Sequence, residues 1–332
     1  MSSSDDGAPA SSSASLPADP FRWMPATIVA AAGQTPTGRS IVLEVPGLRP
    51  ARAGQHVDVR LTADDGYQAV RSYSLSDVTL SDVSPSDDSS SDVRASAGGA
   101  GRAPQIELTV EELPDGEVSP YLVSAAEVGD PVEVRGPIGG WFVWPPTEFD
   151  PDSAVHAVLP EPDGAPAPRR SPVQLIGGGS GIAPLVAMVR ARAAGAGAGA
   201  GAADVAGVAD AAAVVGDAAA SGAAGAPPPM RLLCSVRTPA DRWFEAELTA
   251  LAEESAGAVQ VDWVFTREAP AGATRASGRL TRDELLDLVL PASEHPLVYV
   301  CGTNSFVETV AGWLVAAGHD PTRVRTERFG GV

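Results

Sequence analysis

A chain of 332 residues that is 44% hydrophobic, with a mean hydropathy of +0.03, carries enough apolar material for two domains with separate cores. Its formal charge of −19 argues against nucleic acid as a partner, and no run reaches the ~18 apolar residues of a membrane span, so a soluble, cytoplasmic protein with no membrane partner is expected. Cys234 and Cys301 lack the spacing of a zinc site, an iron-sulfur cluster or a disulfide framework, so no metal is expected.

Residues 1–20 are Ser, Ala, Pro and Asp without an apolar signal region, and are expected to be a disordered tail. The first domain is placed at 21–150. Within it Ala26 to Ala31, Ser40 to Val45, His56 to Leu61, Ile106 to Val110 and Pro131 to Arg135 are short β-type runs separated by Gly and Pro turns. Connections such as Pro46-Gly47 and Ala53-Gly54 are too short for crossover helices, which predicts an antiparallel β-barrel. A Ser, Asp and Gly stretch at 77–104 reads as a disordered insertion.

A second domain at 170–332 has a different rhythm. Val173 to Ile176, Arg231 to Val236, Val259 to Thr266 and Leu297 to Cys301 read as strands. They alternate with helical stretches at Leu185 to Arg192, Trp243 to Glu253, Thr281 to Leu288 and Ser305 to Ala317. Such alternation predicts an α/β domain with a parallel sheet. Ala and Gly dominate 193–229, an expected surface insertion between the first helix and second strand.

Several short motifs carry chemistry only weakly when taken singly. Arg71-Ser72-Tyr73-Ser74 fits a half-buried strand, yet a guanidinium beside an aromatic ring also suits a flavin phosphate and its ring. Ser119, closing Gly116-Glu117-Val118-Ser119, is expected to cap a short helix over Pro120 to Ala126 or to meet a phosphate there. Gly177-Gly178-Gly179-Ser180-Gly181 follows a strand and opens a helix, as either a pyrophosphate loop or a packing turn. Cys301-Gly302 ends a strand at the ligand-binding edge of the sheet, where a structural thiol is the alternative. Glu327-Arg328-Phe329-Gly330 lies where a frayed end is the default.

In this order the motifs resemble the ferredoxin-NADP reductase superfamily over most of 22–331. The resemblance implies a two-domain fold, an antiparallel β-barrel flavin domain followed by an α/β parallel-sheet nucleotide-binding domain. It implies that Arg71 binds the flavin phosphate, Tyr73 stacks on the isoalloxazine and Ser74 bonds near N5. Ser119 matches the serine that touches the pyrophosphate in members using FAD, which favours FAD over FMN. Gly177, Gly178, Gly179, Ser180 and Gly181 match the nicotinamide-nucleotide loop, Cys301 and Gly302 the pair beside the nicotinamide, and Glu327 and Phe329 the acid and aromatic facing the flavin. Catalytic roles are implied for Cys301, Glu327 and Ser74, in hydride transfer from nicotinamide to flavin followed by release of single electrons.

Coenzyme choice is read from strand ends. Arg237 follows the second strand of the nucleotide domain with no acid before Asp241, and Thr266-Arg267 resembles the pair that holds the 2′-phosphate in plant-type relatives. NADPH is therefore expected over NADH, which is not excluded. The cysteines of an appended plant-type ferredoxin domain are lacking, so electrons are expected to go to a separate one-electron acceptor, a ferredoxin or an oxygenase component. A reductase of free flavin or quinone without a protein acceptor, or an electron-transfer subunit of a larger complex, are the competing readings.

Overall fold

A computed structural model describes residues 21–80, 103–146, 171–198 and 228–329. The expected tail at 1–20, Gly330 and most of the two expected insertions lie outside the described residues.

Six antiparallel strands close a barrel in the order β1, β2, β5, β4, β3, β6. They are β1 (Met24–Thr35), β2 (Gly38–Glu44), β3 (His56–Thr62), β4 (Gln68–Asp77), β5 (Gln105–Glu111) and β6 (Pro131–Ile138). Alternation drives the closure: Met24, Ala26 and Ile28 point inward along β1 and meet Ile41, Leu43, Val57, Val59, Leu75 and Leu108 in one core. Asp77, assigned above to the loose insertion, is instead the buried end of β4 and pairs with Glu107.

Five parallel strands follow, in the order β11, β10, β7, β8, β9. These are β7 (Val173–Gly178), β8 (Met230–Val236), β9 (Val259–Phe265), β10 (Leu297–Gly302) and β11 (Val324–Arg328). Their helices are α1 (Ala183–Ala198), α2 (Glu245–Glu254), α3 (Arg282–Leu288) and α4 (Asn304–Ala316). Leu175, Leu232 and Tyr299 on one sheet face pack with α1 and α2, while Ile176, Leu233 and Val300 on the other pack with α3 and α4. Covered on both faces, β7 and β10 are buried almost throughout, as their continuous apolar runs require.

Three boundaries move. Helix α1 continues to Ala198, into the segment assigned to the insertion. Helix α2 starts at Glu245 rather than Trp243, because Phe244 takes a left-handed φ of 56° and Trp243 turns toward the barrel. Glu327 and Arg328 are not frayed: β11 pairs with β10 from Val298↔Val324 to Gly302↔Arg328.

The strand order reverses at β7. The chain proceeds from β7 outward to β8 and β9, then returns to place β10 and β11 on the other side. A crevice therefore opens between the ends of β7 and β10, where open α/β sheets bind ligands. No helix among the described residues is long and apolar enough to cross a membrane.

Candidate functional site

The glycine loop sits in that crevice. Residues Gly179–Ile182 form a single 3-10 turn between β7 and α1. Each glycine has a different reason. A Cβ on Gly181 would collide with the Cys301 carbonyl, and one on Gly178 would lie 2.9 Å from the Phe306 ring. Gly179 has φ +58° and faces open space, so its backbone is approachable by an anion.

A cleft of about 240 Å³ runs past this loop. Its nucleotide-domain wall holds Gly178, Gly179, Ser180, Arg237, Thr266 and Phe329. Asp241 and Trp243 continue that wall, and Thr35, Thr37 and Glu111 of the barrel face it. Arg237 is exposed and forms no ion pair among the described residues. Arg267 does not line the cleft; its backbone N–H donates to the Arg237 carbonyl at 2.9 Å, which links the two strand ends.

On the barrel side, β4 carries the first motif. Ser74 Oγ donates to Glu327 Oε1 at 3.3 Å, joining β4 to β11 across 253 residues of sequence. Glu327 is the register partner of Cys301. Its second oxygen, Oε2, is buried and has no hydrogen-bond partner among the described residues. Burial raises the Glu327 carboxyl to about 7 against the opposing pull of Ser74. Cys301 is fully buried, and burial together with Glu327 pushes its thiol upward, so it stays neutral. Phe329 is held over Gly302 by its N–H at 3.2 Å. Tyr73 is half-buried against the barrel core, and burial lifts its hydroxyl to about 12.

Ser119 and Arg71 both have partners within the barrel. Ser119 does not cap the following single turn, Tyr121–Ala125, whose entry at Pro120 has no side-chain cap. It is buried, and its hydroxyl accepts the Leu113 N–H at 3.0 Å, closing the loop on itself. Arg71 already holds an anion: its guanidinium meets Glu117 at 2.8 Å, and the Tyr67 hydroxyl donates to the same carboxylate at 2.5 Å. The Tyr67 hydrogen bond and Arg71 hold the Glu117 carboxyl below its ordinary value. Beside Tyr67 and Glu117 a second cavity of about 570 Å³ opens along the barrel, bounded by Arg60, Tyr121 and Pro131.

Sequence reasoning assigned no role to Glu111, Trp243, Phe306 or Glu117. Only Glu117 lay inside a quoted motif, where its charge opposite Arg71 was the available signal.

Residues 175–312 match the family model described as the oxidoreductase NAD-binding domain. The structure resembles the flavohem-like FAD/NAD-binding domain of nitric oxide dioxygenase from Vibrio cholerae O1 biovar El Tor. They share 20% identity and a TM-score of 0.61, over 93% of this chain and 99% of that one. A ferredoxin NADP+ reductase from Neisseria gonorrhoeae with bound FAD and NADP aligns at 17% identity and TM-score 0.58, over 92% of this chain and 98% of that one. The chain carries an oxidoreductase NAD-binding domain and shares the two-domain fold of these reductase structures. Among curated relatives, the chain is 24% identical over 225 residues to a Ralstonia sp protein. That protein is the ferredoxin–NAD(P)(+) reductase component of naphthalene 1,2-dioxygenase/salicylate 5-hydroxylase systems. The match covers 68% of this chain and 52% of that protein, so the chain spans about half the length of that relative.

Residues of the chain fit both groups that the fold implies. Gly179 offers an open backbone for a pyrophosphate, Arg71 offers a guanidinium on the barrel, and Glu327 offers a buried oxygen without a partner among the described residues.

Proposed function

We propose that the chain is an FAD-dependent NAD(P)H oxidoreductase that takes electrons from NADPH and passes them to a separate acceptor, a ferredoxin or an oxygenase component. One observation carries this reading. Ser74 of the barrel and Glu327 of the last strand meet where the glycine-loop crevice ends, so both domains contribute polar atoms to one point.

FAD supplies, when bound, the conversion of a hydride into single electrons. The chain's own residues orient and insulate. Arg71 offers a charge-assisted bond to a phosphate once Glu117 yields, and Tyr73 presents a half-buried ring beside it. Glu327, held near neutrality by burial, keeps or releases a proton at its carboxyl with little cost around pH 7. Phe329 and Phe306 line the cleft with apolar surface. The cavity beside Tyr67 and Glu117, near the Arg71–Glu117 pair, would give room for the larger FAD and supports it over FMN.

The flavin assignment is tested by Arg71→Ala. Loss of a charge-assisted phosphate contact amounts to roughly 1.5–3 kcal/mol, so FAD affinity is expected to fall about ten- to a hundredfold. Fluorescence titration of the apoprotein with FAD reads this directly, and undiminished affinity sinks the assignment. In the wild type, anaerobic NADPH should bleach the flavin; a spectrum that stays oxidised sinks the oxidoreductase reading.

For the coenzyme, Arg237 and Thr266 support NADPH because they line the cleft at a strand end suited to a 2′-phosphate. Arg237→Ala is expected to lower kcat/KM for NADPH about tenfold or more and to leave NADH nearly unchanged. Arg267→Ala should do less, since its side chain does not line the cleft. Equal losses with both coenzymes on Arg237→Ala would remove this assignment.

The acceptor reading leans on the Ralstonia relative, named as a reductase component of an oxygenase system. Reduction of free flavin or a quinone at rates matching any protein acceptor would favour the alternative, a reductase without a protein partner.

A further inference from the structure

We infer that Glu111, a barrel residue, is a coenzyme-selecting residue that acts across the domain boundary, weakening the binding of 2′-phosphorylated dinucleotides. The inference rests on the proposed use of a nicotinamide dinucleotide and adds to it a residue from the other domain.

Three placements carry it. Glu111 ends β5 and lines the cleft opposite Arg237 and Asp241. Its cross-strand partner is Gly38, and a Cβ built on Gly38 would lie 2.7 Å from Trp243 Nε1. Trp243 follows the Arg237–Asp241 segment in the chain and lies against Gly38, so the strand pair that carries Glu111 abuts the part of the cleft wall that β8 leads into. The neighbouring backbone fixes this position: the Glu112 N–H donates to the Thr37 carbonyl at 2.8 Å, making the β1–β2 turn and the end of β5 one unit.

The wall is also anchored from the other domain. Gln34 Oε1 accepts the Phe244 N–H at 3.2 Å, and Glu107, four residues before Glu111 on the same strand, is bound by Arg190 of α1 at 2.7 Å. These contacts hold the barrel wall that carries Glu111 against the nucleotide domain.

Charge decides the effect. Asp241 Oδ2 already accepts the Thr238 N–H and hydroxyl, both at 2.8 Å. Glu111 has no ion pair or hydrogen bond of its side chain among the described residues, so its charge is available to whatever occupies the cleft. Toward a ribose 2′-hydroxyl it accepts a hydrogen bond; toward a 2′-phosphate it repels. Arg237 and Glu111 thus pull in opposite directions from the two domains, and coenzyme preference is set by their balance.

The test is calorimetric titration of FAD-reconstituted wild type, Glu111→Gln and Glu112→Gln with NADP+ and NAD+. Glu112 lies beside Glu111 but binds the Ser124 hydroxyl at 2.7 Å, so its variant controls for net charge. Glu111→Gln should tighten NADP+ about three- to tenfold, with NAD+ unchanged or slightly weakened, and Glu112→Gln should leave the ratio as in wild type. An unchanged NADP+ affinity, a parallel gain for both dinucleotides, or the same shift from Glu112→Gln would overturn the inference while leaving the coenzyme reading standing. If the wild type binds neither dinucleotide, the coenzyme reading fails and this inference falls with it.

Discussion

Replacing Arg190 with alanine should destabilise the folded chain by roughly 3–5 kcal/mol, the range for removing one partner of a buried ionic cluster. Arg190 projects from α1 to the barrel, where its Nη1 meets Glu107 at 2.7 Å and Asp77 at 3.6 Å. Its Nε and Nη2 hold Glu247 of α2 at 2.7 and 2.8 Å, and the guanidinium lies 4.7 Å from the centre of the Phe244 ring. Burial pulls its proton affinity down, yet Glu247 and Glu107 together raise it above the ordinary arginine value. The side chains of Arg190, Asp77 and Glu107 are 12%, 11% and 14% exposed, so their charges have little water to fall back on. Alanine leaves Asp77 and Glu107 side by side without a cation. Lysine keeps one charge but cannot bind Glu247 bidentately and also reach β5, so Arg190→Lys should fall between wild type and alanine. Urea unfolding of the apoproteins measures both differences. A loss below about 1 kcal/mol for Arg190→Ala would show that the seam between the domains is held by its apolar contacts instead.

Arg190 also shows where the sequence stops being readable. Strand and helix periodicity exposes the two domains, because each apolar face repeats locally: Met24, Ala26 and Ile28 every second residue, Val307, Val310 and Leu314 at helical spacing. The strand-loop-helix placement of the glycine run is equally legible, while its residues alone leave a pyrophosphate loop and a packing turn both open. The seam has no local signature. Arg190 reads as one more charge on a helix, and its partners lie 57 to 114 residues away. Asp77 looks like the first residue of a Ser and Asp stretch, although Leu75 and Ser76 before it are fully buried. Strand β11 escaped for a related reason: Val324 is its one buried apolar residue, so nothing in Val-Arg-Thr-Glu-Arg alternates, and pairing with β10 alone makes it a strand. Trp243 was drawn into a helix by its neighbours' propensity, while the barrel's Gly38 surface claims its ring. Glu111 fared no better, because the cleft it faces exists only once the domains dock.

The acid at the domain junction should make stability depend on pH in a way that one substitution removes. Glu327 is raised from 4.5 to about 7 in the folded chain, chiefly by burial. Below pH 4.5 its carboxyl is protonated in folded and unfolded chains alike, and the site contributes no pH dependence. Between pH 4.5 and 7 the unfolded chain releases the proton while the folded chain keeps it, so stability falls as pH rises. Above the folded value the loss is complete, and a shift of this size corresponds to about 3 kcal/mol. Glutamine resembles the protonated acid in shape and does not titrate. Glu327→Gln apoprotein should therefore match the wild type near pH 4.5 and exceed it by about 3 kcal/mol near pH 8. Taking the difference between the two proteins at each pH cancels the titration of every other group. Ser74→Ala supplies the complementary arm: Ser74 donates to Glu327 and lowers its proton affinity, so its removal should extend the wild-type decline to higher pH and enlarge the total loss. Urea unfolding across this range is the measurement. A gap between Glu327→Gln and wild type that stays constant with pH would mean that the carboxyl titrates normally, and that its unpaired oxygen reaches water.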